Sequence, residues 1–477
     1  MSTIEKVAII GLDCADPVLT FERFIDELPN IRRLAEAGTF GNLESCMPPI
    51  TVPAWSCMAT SKDPGTLGVY GFRNRGDHSY DNLTIATSLA IREPRLWDLL
   101  SQAGKQVIVL GVPQTYPIVR PVNGCMVTGF LTPVLPGKPP QKFTYPPALE
   151  AEIAREVGEY LLDVRGFRTE NKRWLLDQIY EMTDKRFRLA KHLLTAHPWD
   201  LFWMVEMGHD RLHHGFWQFM DQDHHRYQPG NEFEHAIRDY YKHFDGLLGE
   251  LLDAMDLDKT AVWIVSDHGA QLMEGGICFN DWLIQEGYLT LKQPPDGPTR
   301  FNFDLVDWSK TVAWGEGGYY GRCFVNVAGR EPGGQVSSDR YEAVRDELIA
   351  KIQAIPDHHG QPIPTRVYRP QEIYRNVRGV PPDLIVIFGG LRWRSVGTVG
   401  NGSIYTFEND TGPDDANHAQ MGMYCFSHPS LAGRGRDDTA TLYDVAPTVL
   451  EMLGQPVPAD MQGKSLLGTE GSRRAGA

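Results

Sequence analysis

Short apolar runs alternate along the chain with longer amphipathic stretches, the pattern of an α/β protein. The runs Val7–Leu12, Gln106–Gly111, Leu201–Val205, Ala261–Val265, Arg322–Val327 and Leu384–Phe388 predict strands. The stretches Phe21–Glu36, Glu150–Glu159, Lys172–Leu194, Phe233–Met255, Ser338–Ile352 and Tyr443–Leu453 predict helices. The expected architecture is a mostly parallel sheet with helices on both faces. Two segments break the rhythm. Leu131–Pro147 carries six prolines and reads as a long surface excursion. Between 290 and 410 the chain is polar and rich in Gly and Pro, which predicts an inserted cap-like subdomain. The longest apolar runs are strand-sized, well short of the ~18 residues a membrane span needs. The opening MSTIEK leads straight into Val7–Ile10, without the apolar region of a secretory signal.

The 477 residues are 42% hydrophobic, close to a globular average, so disordered, collagen-like and disulfide-scaffold classes are excluded. The length would hold roughly two to four domain-sized units, or one domain enlarged by insertions. Lys+Arg 46 against Asp+Glu 61 gives a formal charge of −15. That excess argues against nucleic-acid polymers and anionic membranes as partners. It leaves room for a small anion, because bound metal ions supply positive charge locally. Seven cysteines without a CxxC pair suit reduced thiols in a cytoplasmic protein.

Candidate chemistry collects at strand ends, where open α/β sheets bind ligands. Asp13 directly follows Val7–Leu12; it could equally cap a turn, and Gly11 lacks the spacing of a dinucleotide loop. Asp267-His268-Gly269 closes Ala261–Val265 and suits a divalent metal. After Leu201–Val205 comes His209-Asp210-Arg211-Leu212-His213-His214, where Asp210/His214 and His209/His213 are rival i,i+4 pairs. Thr51, before Val52-Pro53 and a helix-compatible run, would place a hydroxyl at a helix N-terminus, or serve simply as its cap. Asn417-His418 lies in a Gly/Asp-rich loop. Three carboxylates, three imidazoles and a hydroxyl fit one chemistry, two divalent cations about 4 Å apart acting on phosphorus.

These residues lie in motifs that resemble the alkaline phosphatase superfamily, in its nucleotide pyrophosphatase/phosphodiesterase-like branch. The motifs are VAIIGLDCADP, PPITVPAWSCMATSKDPGTLGVYGF, WMVEMGHDRLHHGFW, WIVSDHGA, NHAQMG and TLYDVAPTVLEMLG, in order over nearly the whole chain. The resemblance implies a three-layer α/β/α sandwich with a mostly parallel central sheet. It implies that Asp13, Thr51, Asp267 and His268 surround one metal and that Asp210, His214 and His418 hold the other. It thereby selects Asp210/His214 over His209/His213. The implied ions are zinc, with manganese as the alternative. The implied reaction is attack by Thr51 on phosphorus, giving a phosphothreonine that water then hydrolyses.

The sulfatase signature is missing, since Ala54 and Trp55 follow Pro53 where an Arg would be needed. Where nucleotide pyrophosphatases place a phosphate-binding Asn, this chain has Phe72, which leaves Asn74 or Arg75 as substitutes and Trp55 as a stacking surface. The expectation is a phosphodiesterase or pyrophosphatase of a small phosphoester. The alternatives are a phosphomonoesterase, phosphonate-ester hydrolase or phosphotransferase on the same site, and a silent metal-binding protein. Because the motifs run in one series from Asp13 to His418, residues 1–477 are expected to form one catalytic domain, with the insertion at 290–410.

Overall fold

A ten-stranded sheet runs through the middle of the molecule. The computed structural model describes residues 3–134 and 141–467. The principal strands are β1 (Lys6–Leu12), β2 (Thr39–Glu44), β3 (Val107–Leu110), β4 (Gly124–Val127), β5 (Leu201–Glu206), β6 (Thr260–Val265) and β7 (Met421–Ser427). Their spatial order is β2-β7-β6-β1-β5-β3-β4. From β6 to β4 every pairing is parallel, whereas β7 runs antiparallel to both β2 and β6.

Successive side chains of a strand point to opposite faces, and here both faces are buried. Ala8, Ile10 and Leu12 enter one core while Val7 and Ile9 enter another. The helices are α1 (Pro29–Ala37), α2 (Thr51–Thr60), α3 (Lys172–Ala196), α4 (Gly208–Met220), α5 (Ala236–Asp253) and α6 (Val445–Met452). Leu34, Leu193, Phe216 and Leu248 bring α1, α3, α4 and α5 to the first face. Trp55, Met58 and Val449 bring α2 and α6 to the second. The result is a three-layer α/β/α sandwich.

The single helix expected over Phe21–Glu36 is broken. A short π-helical turn (Leu19–Arg23) and a 3-10 turn (Ile25–Glu27) precede α1, which starts at Pro29. Proline has no N–H to give to a preceding turn and pushes the residue before it out of the helical region; Leu28 has φ −117° and ψ 69°. β2, β4 and β7 carry no long apolar run and escaped prediction. β2 alternates buried and half-buried positions, and β7 starts Met-Gly-Met.

A further core, including Phe279, Trp314, Phe324, Leu348 and Val386, draws on residues between 277 and 393. It packs on an antiparallel sheet in the order Ala313–Glu316, Gly321–Val325, Leu384–Ile387, Arg366–Tyr368. The buried Arg75–Glu331 ion pair, at 3.3 Å, ties this sheet's surroundings to the main body. Of the proline-rich excursion, 135–140 lie outside the described residues, and Thr144–Tyr145 adds a short strand beside β4. All seven cysteines are free and buried. No helix among the described residues is long and apolar enough to cross a membrane.

Candidate active site

The carboxyl ends of the adjacent strands β6, β1 and β5 deliver three carboxylates to one place. Asp13 follows β1, Asp267 follows β6, and Asp210 lies in the first turn of α4 after β5. Thr51 is the first residue of α2, with Ile50 as the extended N-cap. Its hydroxyl performs no capping and lies 3.3 Å from His268 Nε2. His418 sits on Ala416–Ala419, paired with Gly269–Leu272 so that it faces Ala270 across the ladder.

Two of the carboxylates have one oxygen held by a protein donor and the other without a partner. Trp55 Nε1 donates to Asp13 Oδ2 at 2.7 Å, and the Cys14 N–H donates to Asp267 Oδ1 at 3.1 Å. Asp13 Oδ1 and Asp267 Oδ2 are buried and unpartnered. Cys14 reaches Asp267 from a left-handed conformation, φ +65°, a geometry that costs about 1–3 kcal/mol. Arg211 Nη1 holds Asp210 Oδ2, leaving Oδ1 toward His214 Nε2 at 3.3 Å and His418 Nε2 at 3.8 Å.

The three imidazoles follow one plan. His268 Nδ1 donates to the Gly269 carbonyl at 3.1 Å, and His418 Nδ1 to the Pro49 carbonyl at 2.8 Å. His214 Nδ1 meets Asp414 Oδ1 at 2.6 Å. Fixing the proton on Nδ1 frees Nε2 as a ligand, the usual arrangement around a metal. His268 Nε2 lies 3.2 Å from Asp267 Oδ2 and 4.0 Å from Asp13 Oδ1. Two groups converge within 4.8 Å, Asp13/Asp267/His268 and Asp210/His268/His418, sharing His268. Ligands about 2.0–2.1 Å from a tetrahedral ion stand about 3.4 Å apart, so the separations of 3.2 and 3.3 Å fit a metal.

The electrostatics agree. Burial and the Asp210 charge push Asp13 well above the usual carboxylate range, and burial with Asp13 does the same to Asp267. Burial pushes His268 down to about 4 and His418 well below its ordinary value. At Asp210 burial acts upward, but His214 and Arg211 outweigh it and hold the group well down. At His214 burial acts downward, but Asp414 and Asp210 raise it to about 10. A divalent cation among these atoms favours ionised carboxylates and neutral imidazoles together.

The rival pair on α4 turns away from this cluster. His209 packs against Tyr240, Tyr241 and Phe244, and His213 Nε2 lies 3.2 Å from the Tyr241 hydroxyl. Three expected substrate contacts sit elsewhere. Trp55 is fully buried and supports Asp13 in place of stacking on a substrate. Asn74 is occupied by its own turn, accepting from the Tyr70 N–H and donating to the Gly71 carbonyl. Arg75 is buried against Glu331, Trp314 and Phe324. Alternation along the strand turns Asn74 away from Arg73, the member of 73–75 that lines the cavity, whereas Arg75, two residues on, is taken up by Glu331.

Sequence reasoning missed Asp414. It holds His214 and also accepts from Arg168 Nη2 at 3.1 Å. Its only signal was an acidic pair, Asp414-Asp415, just upstream of Asn417-His418. Asp163 was also missed; it grips Arg211 with both oxygens, at 2.6 and 2.9 Å, and so steadies the donor to Asp210. A cavity of about 720 Å³ opens over Thr51, Asp210 and His418.

Residues 7–414 match the model of the family described as type I phosphodiesterase / nucleotide pyrophosphatase. No curated protein sequence gives a match. Among solved structures, human ectonucleotide pyrophosphatase / phosphodiesterase 5 is similar over 95% of this chain and 96% of its own, with TM-score 0.55 and 14% identity. Its murine counterpart is similar over the same shares at 13% identity and TM-score 0.55. An inactive threonine-to-alanine variant of the murine protein, in complex with AMP, is similar at 12% identity, again over 95% and 96% with TM-score 0.55. At these identities the likeness is one of fold.

Proposed function

The chain belongs to the type I phosphodiesterase / nucleotide pyrophosphatase family, a family of metal-dependent hydrolases, and from that premise we propose that it cleaves small phosphodiesters or pyrophosphates through a covalent phosphothreonine on Thr51. The observation that carries this reading is the convergence of unpartnered carboxylate oxygens and Nε2 atoms beside a Thr51 hydroxyl that caps nothing. We assign Asp13, Thr51, Asp267 and His268 to one divalent ion and Asp210, His214 and His418 to a second, with zinc preferred and manganese as the alternative. Such ions, when bound, favour an ionised hydroxyl and neutralise charge gathering on the phosphoryl oxygens. The protein supplies the rest. Thr51 attacks phosphorus from the first turn of α2, where the helix dipole favours negative charge. The ester oxygen of the leaving group departs, and water then breaks the Thr51–phosphorus bond to free the phosphate and regenerate the hydroxyl. The inactive murine variant, which lacks a threonine and is complexed with AMP, supports both a threonine nucleophile and a nucleotide-like substrate.

We read residues 290–410 as a cap on a single catalytic domain, because Arg300, Glu316, Tyr319 and Arg394 from that stretch line the cavity. The cavity is larger than a bare monoester requires, which favours the diester over the monoester reading. Seven free buried thiols suit a reducing compartment, and we place the protein in the cytoplasm. The deciding experiment compares bis-p-nitrophenyl phosphate, p-nitrophenyl phosphate, p-nitrophenyl thymidine 5′-monophosphate and a phenylphosphonate ester. The diesters should give the higher kcat/KM; a clear preference for the monoester would overturn the assignment.

A further inference from the structure

The cavity wall is cationic in a chain whose formal charge is −15. Six arginines line it (Arg73, Arg168, Arg211, Arg300, Arg322 and Arg394) against four carboxylates, Asp163, Asp210, Glu316 and Asp410. Four of the arginines are committed to protein carboxylates. Arg211 serves Asp163 and Asp210, and Arg168 serves Asp414 at 3.1 Å. Arg394 lies 3.2 Å from Asp410, and Arg322 lies 2.9 Å from Glu316.

The other two differ. Among the described residues, neither Arg73 nor Arg300 has a carboxylate within 4.0 Å. They come from separate two-stranded ribbons. Arg73 opens the strand Arg73–Arg75, which pairs with Leu83–Ile85, and Arg300 ends Thr299–Arg300, which pairs with Thr398–Val399. Both are exposed at the rim of the cavity, whereas Thr51, at its floor, is 3% exposed. Arg322 Nη1 donates to the Arg73 carbonyl at 2.6 Å and so fixes the Arg73 strand against the insertion. Phe72 and Phe301, the chain neighbours of the two free arginines, also line the cavity and give an apolar path between floor and rim.

An exposed arginine is ordinarily a solvated surface charge. Two of them on the wall of one concave site, with no acidic partner and in an acidic protein, form an anion subsite. We infer that the cavity takes an extended substrate carrying a second, terminal phosphate, held by Arg73 and Arg300 at the rim while Thr51 attacks the first phosphorus. A terminal phosphate monoester carries about −1.5 to −2 charges at neutral pH, which matches two guanidinium groups. The substrate class is thus a nucleotide-like phosphodiester with phosphates at both ends. The inference rests on the phosphodiesterase reading above, and it adds what the second arm must carry.

The test compares p-nitrophenyl thymidine 5′-monophosphate with the same compound phosphorylated at the 3′-oxygen. Wild-type protein should show kcat/KM about tenfold or more higher for the phosphorylated compound, the size expected of a charge-assisted contact. Raising ionic strength should shrink that ratio. In the double variant Arg73→Gln/Arg300→Gln the ratio should fall toward one, while Arg188→Gln, remote from the cavity, should leave it unchanged. In parallel, binding of thymidine 3′,5′-bisphosphate and thymidine 5′-monophosphate is measured by calorimetry, with the same preference expected and the same loss in the double variant. Equal kcat/KM and equal affinity in the wild type would overturn the inference, as would a preference that survives both substitutions. If neither ester is cleaved, the diesterase reading falls, and the calorimetric comparison still decides the arginine subsite.

Discussion

Thr51 keeps its hydroxyl free because Ile50, a residue with no side-chain oxygen, occupies the N-cap position of α2. Thr51→Ala should therefore remove turnover while leaving the melting temperature and bound metal close to wild type, as read by assay, thermal melt and metal analysis. Appreciable diesterase activity in that variant would remove Thr51 from its role. Asp414 acts one step further out, holding His214 Nδ1 so that Nε2 points at Asp210. Asp414→Ala should cost about 10–100-fold in metal affinity or activity. Asp414→Asn should cost less, since an amide oxygen still accepts from Nδ1; chelator competition measures both. Of the proposed ligand residues, Asp13, Asp267 and His268 were legible because they follow an apolar strand and Asp210 and His214 because they repeat at i,i+4, whereas Thr51 stood out only as a helix start and His418 only through the resemblance. Asp414 was not legible, because an orienting carboxylate carries no spacing rule of its own. Asn74 and Arg75 lie off the cavity wall for a related reason: sequence distance from Thr51 does not say which partners the side chains of Arg73–Arg75 will find.

Among the elements, β1 and α2 are locked together more tightly than their sequences suggest. A Cβ built on Gly11 would stand 2.6 Å from Trp55 Cη2 and 2.9 Å from the Met204 carbonyl oxygen. Trp55 in turn holds Asp13, two residues past Gly11. Gly11→Ala should destabilise the protein by about 1–3 kcal/mol through overpacking. It should also lower activity more than an equally destabilising substitution on the far side of α6. Thermal melts paired with kcat/KM separate these effects. β1, β3, β5 and β6 were readable because strands buried on both faces appear as unbroken apolar runs. β2 and β7 lie toward the sheet's edge and mix apolar with polar or glycine positions, so their membership is decided by pairing partners distant in sequence. The i,i+4 rule on α4 found two pairs and could not choose between them; the family resemblance selected Asp210/His214, and His209 and His213 pack against α5.

For the whole molecule, metal held at the proposed site should add to stability. Chelation should lower the melting temperature, and zinc or manganese should restore it. A ligand at 100 times its Kd contributes about 2.7 kcal/mol. The loss should depend on pH. Asp13 and Asp267 are raised above the ordinary value of 3.8. Groups raised on folding favour the folded state at low pH and lose that contribution as pH rises through their folded values. Metal affinity meanwhile grows with pH as protons leave the ligands. The gap in melting temperature between loaded and chelated protein should therefore widen from acid to neutral pH. A gap constant across that range would argue against Asp13 and Asp267 as ligands.

The place of β7 in the sheet bears on how the protein is made. β7 (421–427) is inserted between β2 and β6, so β6 has only β1 beside it, and β2 stands apart from the sheet, until this late segment arrives. His418 stands only a few residues ahead of it, on a strand that pairs beside His268. A growing chain that has emerged from the ribosome as far as residue 400 holds six of the seven proposed ligands, yet cannot close its sheet. The segment that closes the sheet also carries in the last imidazole. Joining β2 to the sheet and completing the proposed ligand set thus fall to one short stretch of chain, 416–427.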